Sequence, residues 1–278
     1  MSRLLIFGLG YTAGVLAARL RGEGWQVTGT TRDGRDGTLR FGDRDAVLAE
    51  MAAATHILSS VPPVDDVDPV LVAYGSVIAR SRAWIGYLSS TGVYGDAGGA
   101  WVDETAPIAG RRPARNAADR DWLAIGARVF RLPGIYGSGR SPLDRALDGR
   151  AHRVDLPGQV FSRAHVDDIA AGVIAGFDGP AGAYNLADDF PCSQNLVAEH
   201  AAMLLGIAPP PLVAVDDLSP MGRGFYAENR RVANGKARRV LGWTPLYPDY
   251  RAGLRALSAM TSPTPASAAP APASADQR

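Results

Sequence analysis

The sequence predicts an α/β fold: a doubly wound parallel sheet carrying a small C-terminal lobe. Three observations carry that prediction. Short, continuous apolar runs alternate with helix-period segments through the first half, the first run ends in a glycine turn, and the alternation loosens beyond about residue 136. Continuous apolar runs suit strands buried on both faces. Helices of this length between such strands give right-handed crossovers and a sheet covered on both sides.

Residues 4–7 form the first run, which stops at Gly8. Residues 12–21 follow with Val15, Leu16 and Leu20 on one helical face, ended by Gly22 and Gly24. Residues 25–31 read as a second strand, 45–54 as a helix and 55–61 as a third strand halted by Pro62 and Pro63. A helix over 69–82, a strand over 83–89, a helix over 117–125 and a strand over 128–132 continue the pattern. Further on, 166–177 reads as a helix, 183–186 as a late strand and 195–205 as a helix ended by Gly206. A last amphipathic helix spans 249–257. From Thr261 the chain is almost all Ser, Thr, Pro and Ala, with prolines at 263, 265, 270 and 272. Such a stretch builds no core, and 261–278 is expected to be disordered. The organisation expected is a core over 1–187 with a lobe insertion around 137–160, then a substrate lobe with closing helix over 188–260.

The turn after the first strand is Gly8-Leu9-Gly10-Tyr11-Thr12-Ala13. A G-x-G-x-x-A string between a strand and a helix is the dinucleotide fingerprint of a Rossmann-type sheet. Gly8 permits the tight turn, Gly10 admits the pyrophosphate to the backbone, and small Ala13 lets helix and strand pack closely. The helix N-terminus then offers free N–H groups and positive dipole to phosphate. The end of the second strand speaks to which dinucleotide binds. NAD-preferring sites hold the ribose there with an acid, whereas this chain has Thr31 followed by Arg32. A hydroxyl and a guanidinium suit a 2′-phosphate, so NADP(H) is favoured over NAD(H). Asp33, one residue later, is the group that would instead hold a ribose.

Composition limits the alternatives. Of 278 residues 46 % are apolar, and the formal net charge of +1 gives no basic excess for nucleic acid or an acidic membrane. The apolar start is too short to span a membrane and lacks a small-residue cleavage site, so a cytoplasmic protein is expected. One cysteine, Cys192, excludes an internal disulfide and a cysteine metal cluster. It reads as a small buried hydrophobe. His56, His152 and His200 show no ligand spacing, and no metal site is expected.

Five later stretches add a resemblance. Leu88-Ser-Ser-Thr-Gly-Val-Tyr-Gly95, Val102-Asp-Glu-Thr-Ala-Pro107, Arg131-Leu-Pro-Gly-Ile-Tyr-Gly137, Phe161-Ser-Arg-Ala-His-Val-Asp-Asp168 and Ala183-Tyr-Asn-Leu-Ala187 occur in one order behind the glycine turn. Together they resemble the extended short-chain dehydrogenase/reductase family, which includes nucleotide-sugar epimerases and dehydratases. The resemblance implies that Ser90, or its neighbour Thr91, hydrogen-bonds the substrate oxygen. It also implies that Ser60, Val61 and Pro133 join the turn residues around the dinucleotide, and that the chain pairs as a homodimer through two helices.

The resemblance further implies a tyrosine followed four residues later by a lysine, as the acid/base pair. Its place falls near Arg115. No tyrosine lies between Tyr94 and Tyr136, and Lys236 is the single lysine, so the pair is absent. Arg115 cannot act as a base, because guanidinium stays protonated, but it can act on an oxyanion electrostatically. The chain therefore resembles the atypical members of the family. Tyr94 and Tyr136 read as core, and Asp167 or Asp168 as the cap of the helix that follows. His165 has two readings, a proton carrier and a structural side chain. The stretch 223–231, mixing aromatic and basic residues, is either an anion contact or a solvated run.

Three functions fit these residues. The first is an NAD(P)-dependent oxidoreductase on an unidentified small molecule, its proton handled by Ser90, His165, water or the substrate. The second is a non-catalytic NADP(H)-binding redox regulator, and the third a nucleotide-sugar epimerase or dehydratase.

Overall fold

The computed structural model describes residues 2–261; from 262 onward, the tail expected over 261–278 lies outside the described residues. The central sheet holds β1 (Arg3–Phe7), β2 (Gln26–Thr31), β3 (Leu39–Arg40), β4 (His56–Ser59), β5 (Trp84–Ser90), β6 (Arg128–Leu132) and β7 (Gly182–Asn185). All neighbours are parallel, in the order β3-β2-β1-β4-β5-β6-β7. The chain winds outward from β1 in one direction, returns beside it as β4, and winds outward in the other. Between β1 and β4 lies the switch point, where crossovers leave to opposite faces and open a crevice at the strands' carboxyl ends.

Successive side chains of a strand point to opposite faces, which explains the continuous apolar runs. In β1, Leu4 and Ile6 join Leu16, Leu20, Phe130, Ile169 and Tyr184 on the face covered by α1 (Tyr11–Gly22) and α6 (Val166–Ala175). Leu5 and Phe7 join Val47, Met51, Tyr74, Tyr87 and Trp122 beneath α2 (Arg44–Ala53), α3 (Pro69–Ile78) and α4 (Pro113–Ala124). A fully buried side chain of this size contributes roughly 1.5–3 kcal/mol. A separate core of Tyr136, Leu143, Val197, Ala201, Leu254 and Leu257 holds together α5 (Pro142–Leu147), α7 (Gln194–Leu205) and α10 (Tyr250–Thr261). After α8 (Pro220–Tyr226), Arg231–Val232 pairs with Trp101–Val102 as a separate two-stranded parallel sheet, and α9 (Gly235–Leu241) brings Ala237, with Trp243 just after it, into the α1/α6 core.

Several boundaries move for local reasons. The α4 helix starts at Pro113 rather than 117, because proline at N1 has φ preset for a helix and loses no hydrogen bond there. The third strand is shorter than 55–61, and Ser60 and Val61 leave the sheet. The helix expected over 69–82 stops at Ile78, and Asp68 starts it by accepting from the Val70 and Leu71 N–H groups. Neither Asp167 nor Asp168 caps α6. His165 does, its Nδ1 accepting from the Asp167 N–H at 3.3 Å. Asp168 instead accepts the backbone N–H groups of Leu246 and Tyr247 at 2.6 and 3.1 Å, fastening the segment after α9 to the core. Sequence alone ranks Asp above His as a cap. The tertiary demand of two buried amides takes the carboxylate away.

Candidate active site

A cleft of about 600 Å³ lies over the carboxyl ends of β1, β4, β5 and β6. Thr12 and Ser60 line one end, Ser89, Ser90 and Thr91 the floor, and Pro133 and Gly134 the exit of β6. Five residues assigned to binding or catalysis from sequence thus meet in one cavity: Thr12, Ser60, Ser90, Thr91 and Pro133.

The two glycines of the turn do different work. Gly8 has φ +82°, and a Cβ there would lie 2.7 Å from Val61 Cγ2, so only glycine suits it. Val61 therefore acts by packing on the turn. Gly10 has an ordinary φ of −94°, and a Cβ added to it would meet nothing within 4 Å. Neither strain nor crowding by protein explains this glycine. Open space at Gly10, in front of a helix whose first turn has no acid and whose cap has no side-chain bond, fits a pyrophosphate. Ala13 is fully buried between α1 and the sheet, and Leu9, its N–H bound to Thr30 O, packs across Gly29. Tyr11 reaches away and donates to Ser138 O at 3.0 Å, tying the turn to the loop before α5.

At the end of β2 the Thr31 hydroxyl is engaged, bonded to Thr38 Oγ1 at 2.7 Å and accepting from the Gly34 N–H at 3.0 Å. It shapes the loop. Arg32 is exposed and makes no hydrogen bond or ion pair among the described residues. Asp33 is 3.7 Å from Arg35, and its carboxyl is held low chiefly by backbone N–H donation.

Ser90 ends β5 and caps the following turn, its Oγ accepting from the Gly92 N–H at 3.1 Å. Its own hydroxyl hydrogen is left to donate into the cleft. Arg230 stands beside it: a Cβ on Gly92 would lie 3.3 Å from Ser90 Oγ and 4.0 Å from Arg230 Nη2. Arg230 is held by Glu228 at 2.7 Å and by Gly95 O at 2.6 Å. The stretch 223–231 is thus divided. Phe225, Glu228 and Arg230 face the cleft, while Arg223 binds the Asp216 and Leu218 carbonyls.

Where the tyrosine–lysine pair is absent, α4 presents Arg115 and, four residues on, Asp119. Arg115 lines the cleft. Asp119 is fully buried beneath it and accepts from Arg131 Nε and Nη2 at 3.1 and 2.7 Å and from Ser89 Oγ at 2.6 Å. Arg131 Nη1 in turn donates to the Tyr94 hydroxyl at 3.0 Å, which donates to Asn185 Oδ1 at 2.7 Å. Burial, only partly offset by Arg131, pushes the Tyr94 phenol up to about 12, so it supplies no base near neutral pH. His165 is also removed from the chemistry. It is 2 % exposed, lies outside the cleft lining against Tyr136 and Tyr247, and burial lowers its pKa. Cys192 is buried with Arg163 Nη1 3.3 Å from its sulfur, and burial raises its pKa.

Sequence reasoning missed most of the cleft's arginines. Arg111, Arg112, Arg140 and Arg163 line it beside Arg115 and Arg230. They come from three segments far apart in sequence, and only the arginine-rich Arg111-Arg112 and the lack of lysine hinted at them. Among the described residues no group of three His, Cys, Asp or Glu side chains could hold a metal, and no helix is long and apolar enough to cross a membrane.

No family model matches the chain. A solved structure of a functionally unknown conserved protein from Silicibacter pomeroyi is 42 % identical, with a TM-score of 0.87 over 94 % of this chain and 99 % of that one. Protein YeeZ of Escherichia coli K12 is 29 % identical over 287 residues, covering 90 % of this chain and 97 % of its own. Human epimerase family protein SDR39U1, solved with NADPH, has a TM-score of 0.74 at 16 % identity, over 92 % and 99 % of the two chains. Other structures of this fold hold NAD.

Sheet order, glycine turn and cleft together define the extended short-chain dehydrogenase/reductase fold of the epimerase/dehydratase type, here in an atypical form without the tyrosine–lysine pair. Within that class the chain belongs to one family with the conserved Silicibacter pomeroyi protein.

Proposed function

We propose that the chain is an NAD(P)-dependent oxidoreductase, with NADP(H) preferred, acting on a small molecule at Ser90. The observation that carries the reading is the continuous cleft lined by Thr12, in the first turn of α1, by Ser60 and by Ser90. The preference for the phosphorylated dinucleotide rests on Arg32, which is free, and on the lack of an acid at Thr31.

A bound nicotinamide supplies or accepts hydride, which is the difficult step. The protein's share is placement and charge. In the reducing direction the carbonyl π pair moves onto oxygen as the new C–H bond forms. Ser90 donates a hydrogen bond to that oxygen, and the Arg230 guanidinium beside it stabilises the developing negative charge. Neither group need give up its proton; one from solvent converts the oxyanion to alcohol. This arrangement asks nothing of the missing tyrosine.

Calorimetric titration with NADPH, NADP⁺, NADH and NAD⁺ tests the binding half. Micromolar affinity favouring the phosphorylated pair is expected, followed by NADPH consumption with a carbonyl panel that is lost in Ser90→Ala. Absence of binding by all four would overturn the reading. Tight binding with no turnover on any substrate would favour the second reading, a dinucleotide-binding regulator, which the absence of the tyrosine–lysine pair supports.

A further inference from the structure

Six guanidinium groups line the cleft, those of Arg111, Arg112, Arg115, Arg140, Arg163 and Arg230, against one carboxylate, Glu228. That carboxylate is shared, its Oε1 3.1 Å from Arg111 Nε and its Oε2 2.7 Å from Arg230 Nη1. Arg163, 5 % exposed, donates to the Phe161 and Cys192 carbonyls and to Gln194 Oε1, which carry no charge. The side chains of Arg112 and Arg115 make no hydrogen bond or ion pair among the described residues. The Arg140 guanidinium lies 5.7 Å from the centre of the Tyr11 ring and makes no hydrogen bond or ion pair among the described residues.

Over the whole chain 29 basic residues face 28 acidic ones, so this concentration belongs to the cleft. Like charges gathered in one cavity repel, and low-dielectric walls strengthen the effect. An anion relieves it. A dinucleotide pyrophosphate at the α1 N-terminus would answer Arg140, which lies at the Thr12 end over Tyr11. It leaves the arginines at the other end in excess. Of these, Arg230 stands at the reacting position, since a Gly92 Cβ would lie 4.0 Å from its Nη2 and 3.3 Å from Ser90 Oγ, and Arg112 and Arg115 line the same cleft.

We propose, on the reading that the cleft is a dinucleotide-dependent active site, that its substrate is a small acid. Its carboxylate or phosphate sits next to the carbon that exchanges hydride and is held by Arg115, Arg112 and Arg230. Arg115, near the place the family resemblance gives the tyrosine, binds the substrate's charge instead of moving its proton. A planar guanidinium meets either oxyanion with two parallel bonds. Carboxylate and phosphate therefore share one recognition chemistry here.

The test is calorimetric titration of the full chain, with NADP⁺ bound, using citrate as the carboxylate probe and inorganic pyrophosphate as the phosphate probe. Arg115→Gln and Arg112→Gln are compared with the parent, and thermal melts report folding. The expected result is binding of at least one probe, weakened about tenfold or more in Arg115→Gln and by added salt, with NADP⁺ affinity unchanged. Citrate alone would assign a carboxylic acid, and pyrophosphate alone a phosphorylated substrate. If neither probe binds, or if both bind Arg115→Gln as tightly as the parent, the proposal is overturned. Should NADP⁺ itself fail to bind, the dinucleotide reading falls separately, and the same titrations on the apo protein still decide whether the arginines hold an anion.

Discussion

Asp119 and Arg131 form a bidentate ion pair, 2.7 Å at its shorter contact, with both side chains at most 3 % exposed. The pair lies under the floor of the cleft, bonded to Ser89 on one side and Tyr94 on the other. It joins α4 to β5 and β6, and so fixes the helix that carries Arg115, one turn earlier, relative to the strand that ends in Ser90.

Removing one partner of such a pair leaves an uncompensated buried charge, which costs about 3–5 kcal/mol. Asp119→Asn should therefore lower the unfolding free energy by that amount in urea denaturation. Replacing both partners, as Asp119→Leu with Arg131→Met, should cost much less. Single and double variants of equal stability would show that the pair is not coupled.

The two turn glycines should separate cleanly. Gly10→Val should leave the melting temperature within a few degrees of the parent while weakening dinucleotide binding at least tenfold, because the space it fills is the ligand's. Gly8→Ala should instead lose about 1–3 kcal/mol of stability, since φ +82° and Val61 both oppose a side chain. Differential scanning calorimetry beside titration reads both; a destabilised Gly10→Val with intact affinity would refute the assignment.

Arg32→Ala should weaken NADP(H) about 10- to 100-fold and NAD(H) little, because only the former carries the 2′-phosphate. The loss should shrink at high ionic strength. Equal losses for both dinucleotides would move the discriminating role to another group.

Asp188 gives a pH prediction. Burial, opposed by the Arg163 charge and by nearby backbone N–H groups, raises its carboxyl to about 7 in the fold. An unfolded aspartate titrates near about 4. The folded state thus binds the proton more tightly, so the stability from this group is complete below about pH 4 and lost as pH rises through about 7. Asp188→Asn keeps the shape and removes the titration. Relative to that variant, the parent should lose on the order of 2–4 kcal/mol between pH 4 and 8, read from urea curves at each pH. A pH-independent difference would show that Asp188 does not titrate there.

The strand, glycine turn and first helix were legible because they are local. Strand, turn and helix follow one another between Arg3 and Gly22, and the glycines sit where backbone geometry or ligand approach needs them. Ser90 was legible through the motif around Val93 and Tyr94. The arginine cluster was not, since it assembles residues 111–115, 140, 163 and 230 from four places, and an arginine carries no periodic signal of where it points. The exchange of cap at α6 was hidden for a related reason: Asp168 serves amides 78 and 79 positions away.

The sequence by itself determined the α/β class, the dinucleotide turn and the loss of the tyrosine–lysine pair, because hydrophobic period, turn chemistry and residue identity are local properties. Only the tertiary structure decided what stands in that pair's place. It put Asp119 into a buried ion pair, left Arg115 facing the cleft, took His165 out of it, and gathered six guanidinium groups along that cleft. Those outcomes depend on which distant segments share a low-dielectric space, and burial and charge pairing settle them after the chain has folded.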